Sequence, residues 1–503
     1  FRPVLGFYPV TLEFFSEQTI KRILFYPSYR PQDDFEQAIE YASFEVLAAD
    51  TLFPRFKEIR IPANTITKGD GKTRKKWEFH NLLPKIREPF SPSLEALTPV
   101  IYLNPVSYTI KGYQGDFTTW EKYGSWIKSL NAGRDSLPAD VANRVRQLVE
   151  GVSMPLEKVK TIYHHMQQTT RYVAVELGIG GLQPETAEMV CRMGYGDCKG
   201  LVNYTAAILK CIGIQSYAVL IRAGAEAEPL EFDSPGNQFN HVILCVPLGK
   251  DTTWLECTSQ RIPFGYLGSF TDNRAGLLIG PEGGKIVRTP EYGKNENTCR
   301  RKTTITIDSA GSAVVDMHTI SRGLFYDNLT YMLRHPRDKQ MERLAENYQL
   351  PGLKVVTYTC ESDDEKIPTV TENLHLIVSG FASVNGTRIF ITPTSLLTMQ
   401  EVEPDDGTRN YDLVIPHAYV CTDTIVLRLP QGYHIESSPS TFDLQSAFGG
   451  LTTTIIPQNG VITYIRTSEQ KKGWFPANNF GEFAEFSKKM YKQDHKKLVI
   501  VRN

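Results

Sequence analysis

The sequence has few cysteines, and no two of them stand at Cys-x-x-Cys spacing. Its 503 residues include 8 cysteines, at positions 191, 198, 211, 245, 257, 299, 360 and 421. This density is low for a disulfide-stabilised scaffold, and the missing spacing argues against the common closed type of zinc site. We therefore expect no metal site. Cysteine usage leaves the redox compartment open.

The chain also lacks a charge bias and a long apolar run. Its formal net charge is -1, which predicts no basic surface for nucleic acid. The longest apolar runs are too short to cross a bilayer, so no transmembrane segment is expected. Because the sequence starts at Phe1 rather than methionine, we expect a processed protein or a trimmed chain, and a lost signal peptide fits either origin.

The length of the chain and the change of residue pattern along it predict three domains, since 503 residues suffice for roughly three of ordinary size. Residues 1–135 are rich in proline and contain short β-forming runs such as Val4–Tyr8 and Ile20–Tyr26, which predict an N-terminal β domain. Residues 136–295 combine helical stripes with strands, and residues 296–503 return to strand alternation. The predicted fold class is α+β, with a central core between two mostly antiparallel β-sandwich-type domains.

Three local patterns in the flanking domains give specific expectations. The polar run Lys68–Lys76 predicts a solvated hairpin tip. Gly323–Tyr348 predicts a helical excursion that is broken near Pro336. Gly481–Tyr491 predicts a surface helix.

The most informative stretch is Tyr195–Gly200, which reads Tyr-Gly-Asp-Cys-Lys-Gly. Its glycines favour a turn, and Asp197 is a suitable N-cap for a helix whose apolar spacing runs to a stop at Gly213. Cys198 then falls in the first helical turn, where the helix dipole favours the nucleophilic thiolate. The alternative is an ordinary buried cysteine.

A histidine and a carboxylate follow on two predicted neighbouring strands. His241 lies in the run 239–246 and Glu256 in the run 253–257, with a turn between the runs. Antiparallel pairing would place the two side chains next to each other. A nucleophilic cysteine needs a base, and the base needs an orienting group, so Cys198, His241 and Glu256 form a candidate triad.

The motifs Tyr-Gly-Asp-Cys-Lys, Phe-Asn-His-Val-Ile and Trp-Leu-Glu-Cys-Thr occur in this order. Together they resemble the transglutaminase-like superfamily of papain-type cysteine enzymes. Bacterial members often carry the core between N- and C-terminal β domains, and the segments 77–92 and 429–473 resemble such flanking domains. The resemblance therefore covers nearly the whole chain.

The resemblance implies that Cys198 is the nucleophile and His241 the base. Two positions depart from the family pattern: Glu256 stands where aspartate is usual, and Gly200 stands where an acidic residue often follows the lysine. Glutamate serves as the orienting acid in some hydrolase triads, although its extra methylene changes the reach of the carboxylate.

The sequence leaves several candidates for the oxyanion donor and for the orienting group. The backbone N–H of Cys198 is a natural oxyanion donor at a helix start. For a side-chain donor the candidates are Gln183, on a glycine-rich loop, and Tyr172; each has a structural role as its alternative. Asn240 and Asp251 are weaker candidates for the orienting group.

The leading hypothesis is a cysteine peptidase or amidase that acts on a peptide or protein by acyl transfer, without a metal or organic cofactor. An amine would replace water as acceptor in a transglutaminase. The alternative is an inactive scaffold whose β domains bind a protein or glycan. A disulfide-exchange protein is a weaker third, because no second cysteine stands at redox spacing to Cys198. A bridge between Cys191 and Cys198 is a further alternative, and it would silence the enzyme. Family resemblance implies export to the periplasm or cell surface.

Overall fold

The computed structural model describes residues 11–19, 28–61, 63–174, 178–224, 228–330, 332–348, 350–397, 401–403, 409–458 and 460–503. The expected strands Val4–Tyr8 and Ile20–Tyr26 lie outside these residues. Within them, no helix is long and apolar enough to cross a membrane.

The N-terminal region, residues 28–116, is built mainly from strands. These are β1 (Ile39–Ala49), β2 (Arg55–Ile59), β3 (Ala63–Gly69), β4 (Lys72–Leu82), β5 (Val100–Asn104), β6 (Ser107–Ile110) and β7 (Tyr113–Asp116), with the short helix α1 (Leu94–Leu97) before β5. The strands form an antiparallel sheet, β1-β4-β3, and two separate pairs, β2–β5 and β6–β7. Trp77 and Phe79 of β4 pack against Ile101 and Leu103 of β5, which holds the sheet and the pair together.

The hairpin expected over Lys68–Lys76 is present, because β3 and β4 pair from Gly69 and Lys72 onwards. The expectation that the whole run is solvated is wrong at Lys75, whose side chain is 2% exposed. Its ammonium nitrogen lies 2.8 Å from the Glu58 carboxylate and 3.4 Å from the centre of the Phe56 ring. An ion pair and a cation–π contact therefore compensate for the burial of this charge.

The central region, residues 120–288, places helices against an antiparallel sheet. Its elements are α2 (Trp120–Asn131), α3 (Ala139–Leu148), α4 (Pro155–Thr169), β8 (Arg171–Tyr172), α5 (Ala187–Met193), β9 (Tyr195–Gly196), α6 (Cys198–Cys211), β10 (Tyr217–Ile221), β11 (His241–Leu248), β12 (Asp251–Leu255), α7 (Gly268–Thr271), β13 (Ala275–Gly280) and β14 (Gly283–Arg288). The sheet order is β12-β11-β10-β13-β14. Helix α6 is buried along most of its length, because its apolar residues are spaced to face both the sheet and the other helices.

The C-terminal region, residues 298–502, is again rich in strands. Its elements are β15 (Thr298–Ile307), β16 (Ala313–Arg322), α8 (Leu324–Leu329), α9 (Arg337–Tyr348), β17 (Leu353–Ser362), β18 (Thr369–Val378), β19 (Ser383–Asn385), β20 (Arg388–Ile391), β21 (Leu413–Ile415), β22 (Tyr419–Arg428), β23 (Tyr433–Ser437), β24 (Phe442–Gln445), β25 (Gly449–Gln458), β26 (Val461–Gln470), β27 (Gly473–Phe475), α10 (Phe480–Asp494) and β28 (Leu498–Arg502).

Two sheets of the C-terminal region share an apolar core. The larger has the order β17-β18-β16-β15-β22-β26-β25-β24, and the smaller has the order β19-β20-β28-β23. Alternate residues of β15 and β16 point inward, where Ile305 and Val315 pack in the same cluster as Ile389 and Ile500 of the smaller sheet. The helical excursion after Gly323 is confirmed, and so is its break before Arg337.

The mixed α+β class with many antiparallel strands is confirmed by this architecture. The division into three domains at residues 135 and 295 stays a prediction.

Candidate functional site

The start of α6 is fixed by local interactions that follow from the sequence. Gly194 ends α5 with φ 66°, a left-handed conformation that glycine adopts without strain. Asp197 is the N-cap of α6: its Oδ1 accepts a 2.9 Å hydrogen bond from the backbone N–H of Gly200. Its Oδ2 lies 2.7 Å from Nζ of Lys199. Cys198 is thereby held as the first residue of the helix, with 5% of its surface exposed.

The hairpin β11–β12 brings the predicted histidine and carboxylate together. Leu244 and Leu255 are direct cross-strand partners, which brings the first residue of β11 close to the chain just after β12. Nε2 of His241 lies 2.8 Å from Oε2 of Glu256. The longer glutamate side chain therefore reaches the imidazole from this position on the strand.

Glu256 uses its second carboxylate oxygen as well. Oε1 accepts hydrogen bonds from the backbone N–H of Thr258 at 3.0 Å and from its hydroxyl at 2.6 Å. Burial raises the pKa of Glu256, but the charge of His241 and the hydrogen bonds from His241 and Thr258 outweigh burial and lower the pKa overall. The carboxylate is thus ionised and fixed at both oxygens.

His241 links the carboxylate to the cysteine. Its side chain is hydrogen-bonded to Cys198 as well as to Glu256. Because Nε2 faces Glu256, Nδ1 is the ring nitrogen left for the thiol. Burial lowers the pKa of His241, while the Glu256 charge and the hydrogen bonds from both partners raise it, with a net value of about 9. The ring is therefore cationic at neutral pH, between a carboxylate and a thiol.

Gln183 makes hydrogen bonds that the sequence did not suggest. Its Nε2 donates to the carbonyl of Leu130 at 2.9 Å and to the hydroxyl of Tyr113 at 3.3 Å. Its Oε1 accepts a 2.6 Å hydrogen bond from Arg134. The side chain is thus committed to bracing the loop before α5, and the structure does not bring its amide to the Cys198–His241 pair.

The structure also gives the places of the three weaker candidates: Asn240 and Asp251 for the orienting group, and Tyr172 for the oxyanion donor. Asn240 is bonded to both backbone groups of Ala223, with its Oδ1 accepting at 2.7 Å and its Nδ2 donating at 3.0 Å. Asp251 begins β12 at the opposite end of the hairpin from His241. Tyr172 pairs through its backbone with Gly196, two residues before the cysteine.

Phe270 is a part of the site that the sequence did not reveal. Its ring lies edge-on to the His241 ring, with centroids 5.3 Å apart, and remains 46% exposed. It is carried by α7, where the backbone N–H of Ser269 donates a 2.8 Å hydrogen bond to Asp327 of α8. No sequence pattern links these positions, because they meet only through the tertiary fold. Thr258 was also missed, although a hydroxyl two residues after a carboxylate is a known local bonding pattern.

All eight cysteines have free thiols in the structure. Cys191 is hydrogen-bonded to Tyr204, and no bridge joins it to Cys198. In the part of the chain that the structure describes, no group of three or more His, Cys, Asp or Glu side chains is arranged to hold a metal ion.

Comparisons with known proteins give a partial family match and a similar fold. A family model for a domain of unknown function, DUF3858, matches residues 387–500. No curated protein matches the sequence significantly. Among solved structures, the chain is similar to a crystal structure described as a putative protease from Parabacteroides distasonis, with a TM-score of 0.57 and 12% sequence identity. The match covers 95% of this chain and 75% of the other. The two proteins share a fold, and that fold extends over nearly all of this chain.

Proposed function

We propose that this protein is a cysteine peptidase or amidase with a transglutaminase-like core, acting through Cys198, His241 and Glu256. One observation carries the proposal: the buried His241 ring contacts the thiol of Cys198 on one side and the carboxylate of Glu256 on the other. This is the order of groups that a thiol nucleophile, its base and the orienting acid require. The similar fold of a protein described as a putative protease agrees with the proposal.

The proposed reaction is acyl transfer from an amide of a peptide or protein. The Cys198 thiolate attacks the carbonyl carbon, and the developing oxyanion is met by the backbone N–H of Cys198 at the start of α6. The cationic His241 gives its proton to the departing nitrogen as the carbon–nitrogen bond breaks, leaving a thioester. His241 then takes a proton from water, whose oxygen attacks the thioester and releases the carboxylic acid and the Cys198 thiolate, which restores the thiolate–imidazolium pair.

Glu256 has the role of holding the ring and stabilising its charge during both half-reactions. No metal or organic cofactor enters this chemistry. An amine in place of water would give transamidation, which uses the same three residues. By the family resemblance we also propose that the protein is exported, to the periplasm or the cell surface.

The low exposure of Cys198 and His241, 5% and 8%, favours a second candidate: an inactive scaffold whose β regions bind a protein or glycan. An enzyme must admit a carbonyl group to the thiol, whereas a scaffold need not. The short Nε2–Oε2 distance favours the enzyme, because a scaffold has no need of a buried charged pair.

The test is the pH dependence of Cys198 alkylation, followed by peptide mass in the wild type and in His241→Gln. Cys245 is the internal control, since it is equally buried and its burial raises the thiol pKa to about 11. We expect Cys198 to react rapidly well below ~8.5, the pKa of a free cysteine, and to lose this reactivity in His241→Gln. Labelling that rises only near the free-thiol pKa, equally in both proteins, would favour the scaffold. Circular dichroism shows whether the variant is folded.

A further inference from the structure

The larger sheet of the C-terminal region is made of two halves that are separate in sequence. Strands β15, β16, β17 and β18 come from residues 298–378, and strands β22, β24, β25 and β26 come from residues 419–470. The halves meet through the pairing of β15 with β22, which is the one parallel pair of this sheet. The integrity of the whole sheet therefore depends on this junction.

A pair of cysteines lies across the junction. Cys299 of β15 and Cys421 of β22 are direct partners in the parallel register. Their side chains are hydrogen-bonded to each other, and both are free thiols. Neighbouring strands are about 4.8 Å apart, a spacing within the Cα–Cα range of roughly 4.4–6.8 Å that disulfides span. The spacing and register of the two strands are thus compatible with a disulfide at this position.

The charges around the pair favour reaction at Cys299. The hydrogen bond from Cys421 lowers the pKa of Cys299 to about 7, with a further contribution from the Arg301 charge against the opposing effect of burial. The same hydrogen bond and burial raise the pKa of Cys421. Arg301 itself reaches across the junction, with its guanidinium 3.7 Å from the carboxylate of Asp423. A thiolate is the species that attacks a disulfide, and a neighbouring thiol can then resolve the mixed disulfide that forms.

We propose that Cys299 and Cys421 are a disulfide-forming pair that ties the two halves of the sheet together. The oxidant is a small disulfide such as oxidised glutathione. The Cys299 thiolate attacks one of its sulfurs and releases a first glutathione thiolate. Cys421, after losing its proton to solvent, attacks the Cys299 sulfur of the mixed disulfide and releases the second. The protein loses two electrons and two protons, and the oxidant is reduced to two thiols.

The other cysteines on sheets lack this arrangement. Cys360 of β17 lies in the same sheet and is partly exposed, as Cys421 is, whereas Cys299 is buried; the cross-strand partner of Cys360 is Glu372. Cys245 of β11 stands between Tyr217 and Trp254. Cys360 is therefore a matched control for the pair.

The experiment is a redox titration of the full chain in glutathione buffers, with thiol counts, intact mass and peptide mapping. A Cys198→Ala background removes the candidate nucleophile as a competing thiol. We expect oxidation to remove two thiols and the mass of two hydrogens, and to give one cross-linked peptide pair containing positions 299 and 421. Closing a loop of roughly 120 residues should raise Tm by about 5 °C in a chain of this size. Cys360→Ser should behave as the parent, and Cys421→Ser should lose both the cross-link and the shift in Tm.

The proposal is overturned if both thiols persist under oxidising buffer, if each carries its own glutathione, or if the cross-link involves another cysteine. These outcomes are independent of any enzymatic activity. Cys299→Ser provides a second variant if Cys421→Ser fails to fold.

Discussion

Replacing Glu256 by glutamine removes the charge that raises the pKa of His241 while keeping the size of the side chain. Burial is then opposed only by the interactions with Cys198, so the pKa of His241 should fall from about 9 towards its ordinary 6.5. The amide also fits poorly beside Thr258, because Oε1 of Glu256 accepts from both the backbone N–H and the hydroxyl of that residue. The variant should therefore have a neutral imidazole beside Cys198 at pH 7.5.

The magnitude follows from the shift. A change of about 2.5 pKa units corresponds to roughly 3 kcal/mol of interaction between the imidazolium and its surroundings. The raised pKa of His241 stabilises the fold fully below pH 6.5, and this contribution is lost as pH rises through about 9. The lowered pKa of Glu256 stabilises the fold above pH 4.5, and this contribution is lost on acidification. The difference in unfolding free energy between wild type and Glu256→Gln should thus be largest between pH 4.5 and 6.5.

Two measurements check this prediction. Urea unfolding at several pH values should show a destabilisation of about 3 kcal/mol at pH 5.5 that shrinks towards pH 9.5. Alkylation of Cys198 at pH 7 should slow by about ten- to three-hundredfold. Asp316→Asn is the matched control: Asp316 pairs with His375 at 2.7 Å but is 68% exposed, so solvent screens the pair. The reasoning is refuted if Glu256→Gln destabilises the protein equally at every pH and leaves the labelling profile unchanged.

Three further substitutions test how the fold holds the site and the flanking sheets. Asp197→Ala removes the N-cap of α6, so it should lower the unfolding free energy by about 1 kcal/mol and slow the alkylation of Cys198. Asp197→Asn should retain most of the stability and most of the alkylation rate. Urea unfolding and alkylation kinetics measure the two effects. Gly124→Ala should destabilise the protein by roughly 3 kcal/mol or more, because its Cβ would lie 2.1 Å from the backbone nitrogen of Gly284. Gly481→Ala, also in a helix but with open space around its Cβ, is the control for the volume added. Arg466→Ala leaves the buried Asp494 without its 2.8 Å partner and should cost about 3–5 kcal/mol in unfolding free energy.

The parts of the site that the sequence predicted correctly are those determined by short stretches of chain. The cap at Asp197, the helix that starts at Cys198 and the turn before β12 depend on residues within a few positions of each other. Strand alternation and the turn then place His241 and Glu256 on neighbouring segments. The contact between Cys198 and His241 was inferred only from the order of the three motifs.

The parts that the sequence could not supply depend on contacts between distant segments. Gln183 was a reasonable oxyanion candidate by its place in a loop, but nothing in the sequence indicates that Arg134 and Leu130 engage its amide. Lys75 was expected in water. The sequence could not show that it is buried, because Glu58 and the Phe56 ring, which contact its ammonium group, come from another strand. Pairing of this kind is decided by the tertiary fold and carries no local signal.

The site also extends beyond the central region, and for the same reason the sequence could not indicate this. Phe270 lies against His241 because α7 is fixed from both sides: Asp327 of α8 accepts from Ser269, and Arg274 donates to the Ser269 carbonyl at 3.1 Å. Gly268, with φ 64°, leaves room for the Asp327 carboxylate, whose nearer oxygen would lie 3.1 Å from any Cβ at that position. A residue of the C-terminal region thus helps to position the aromatic ring against the candidate base. The three proposed triad residues all come from the central region, but the surface that a substrate would meet beside His241 is completed by the region that follows it.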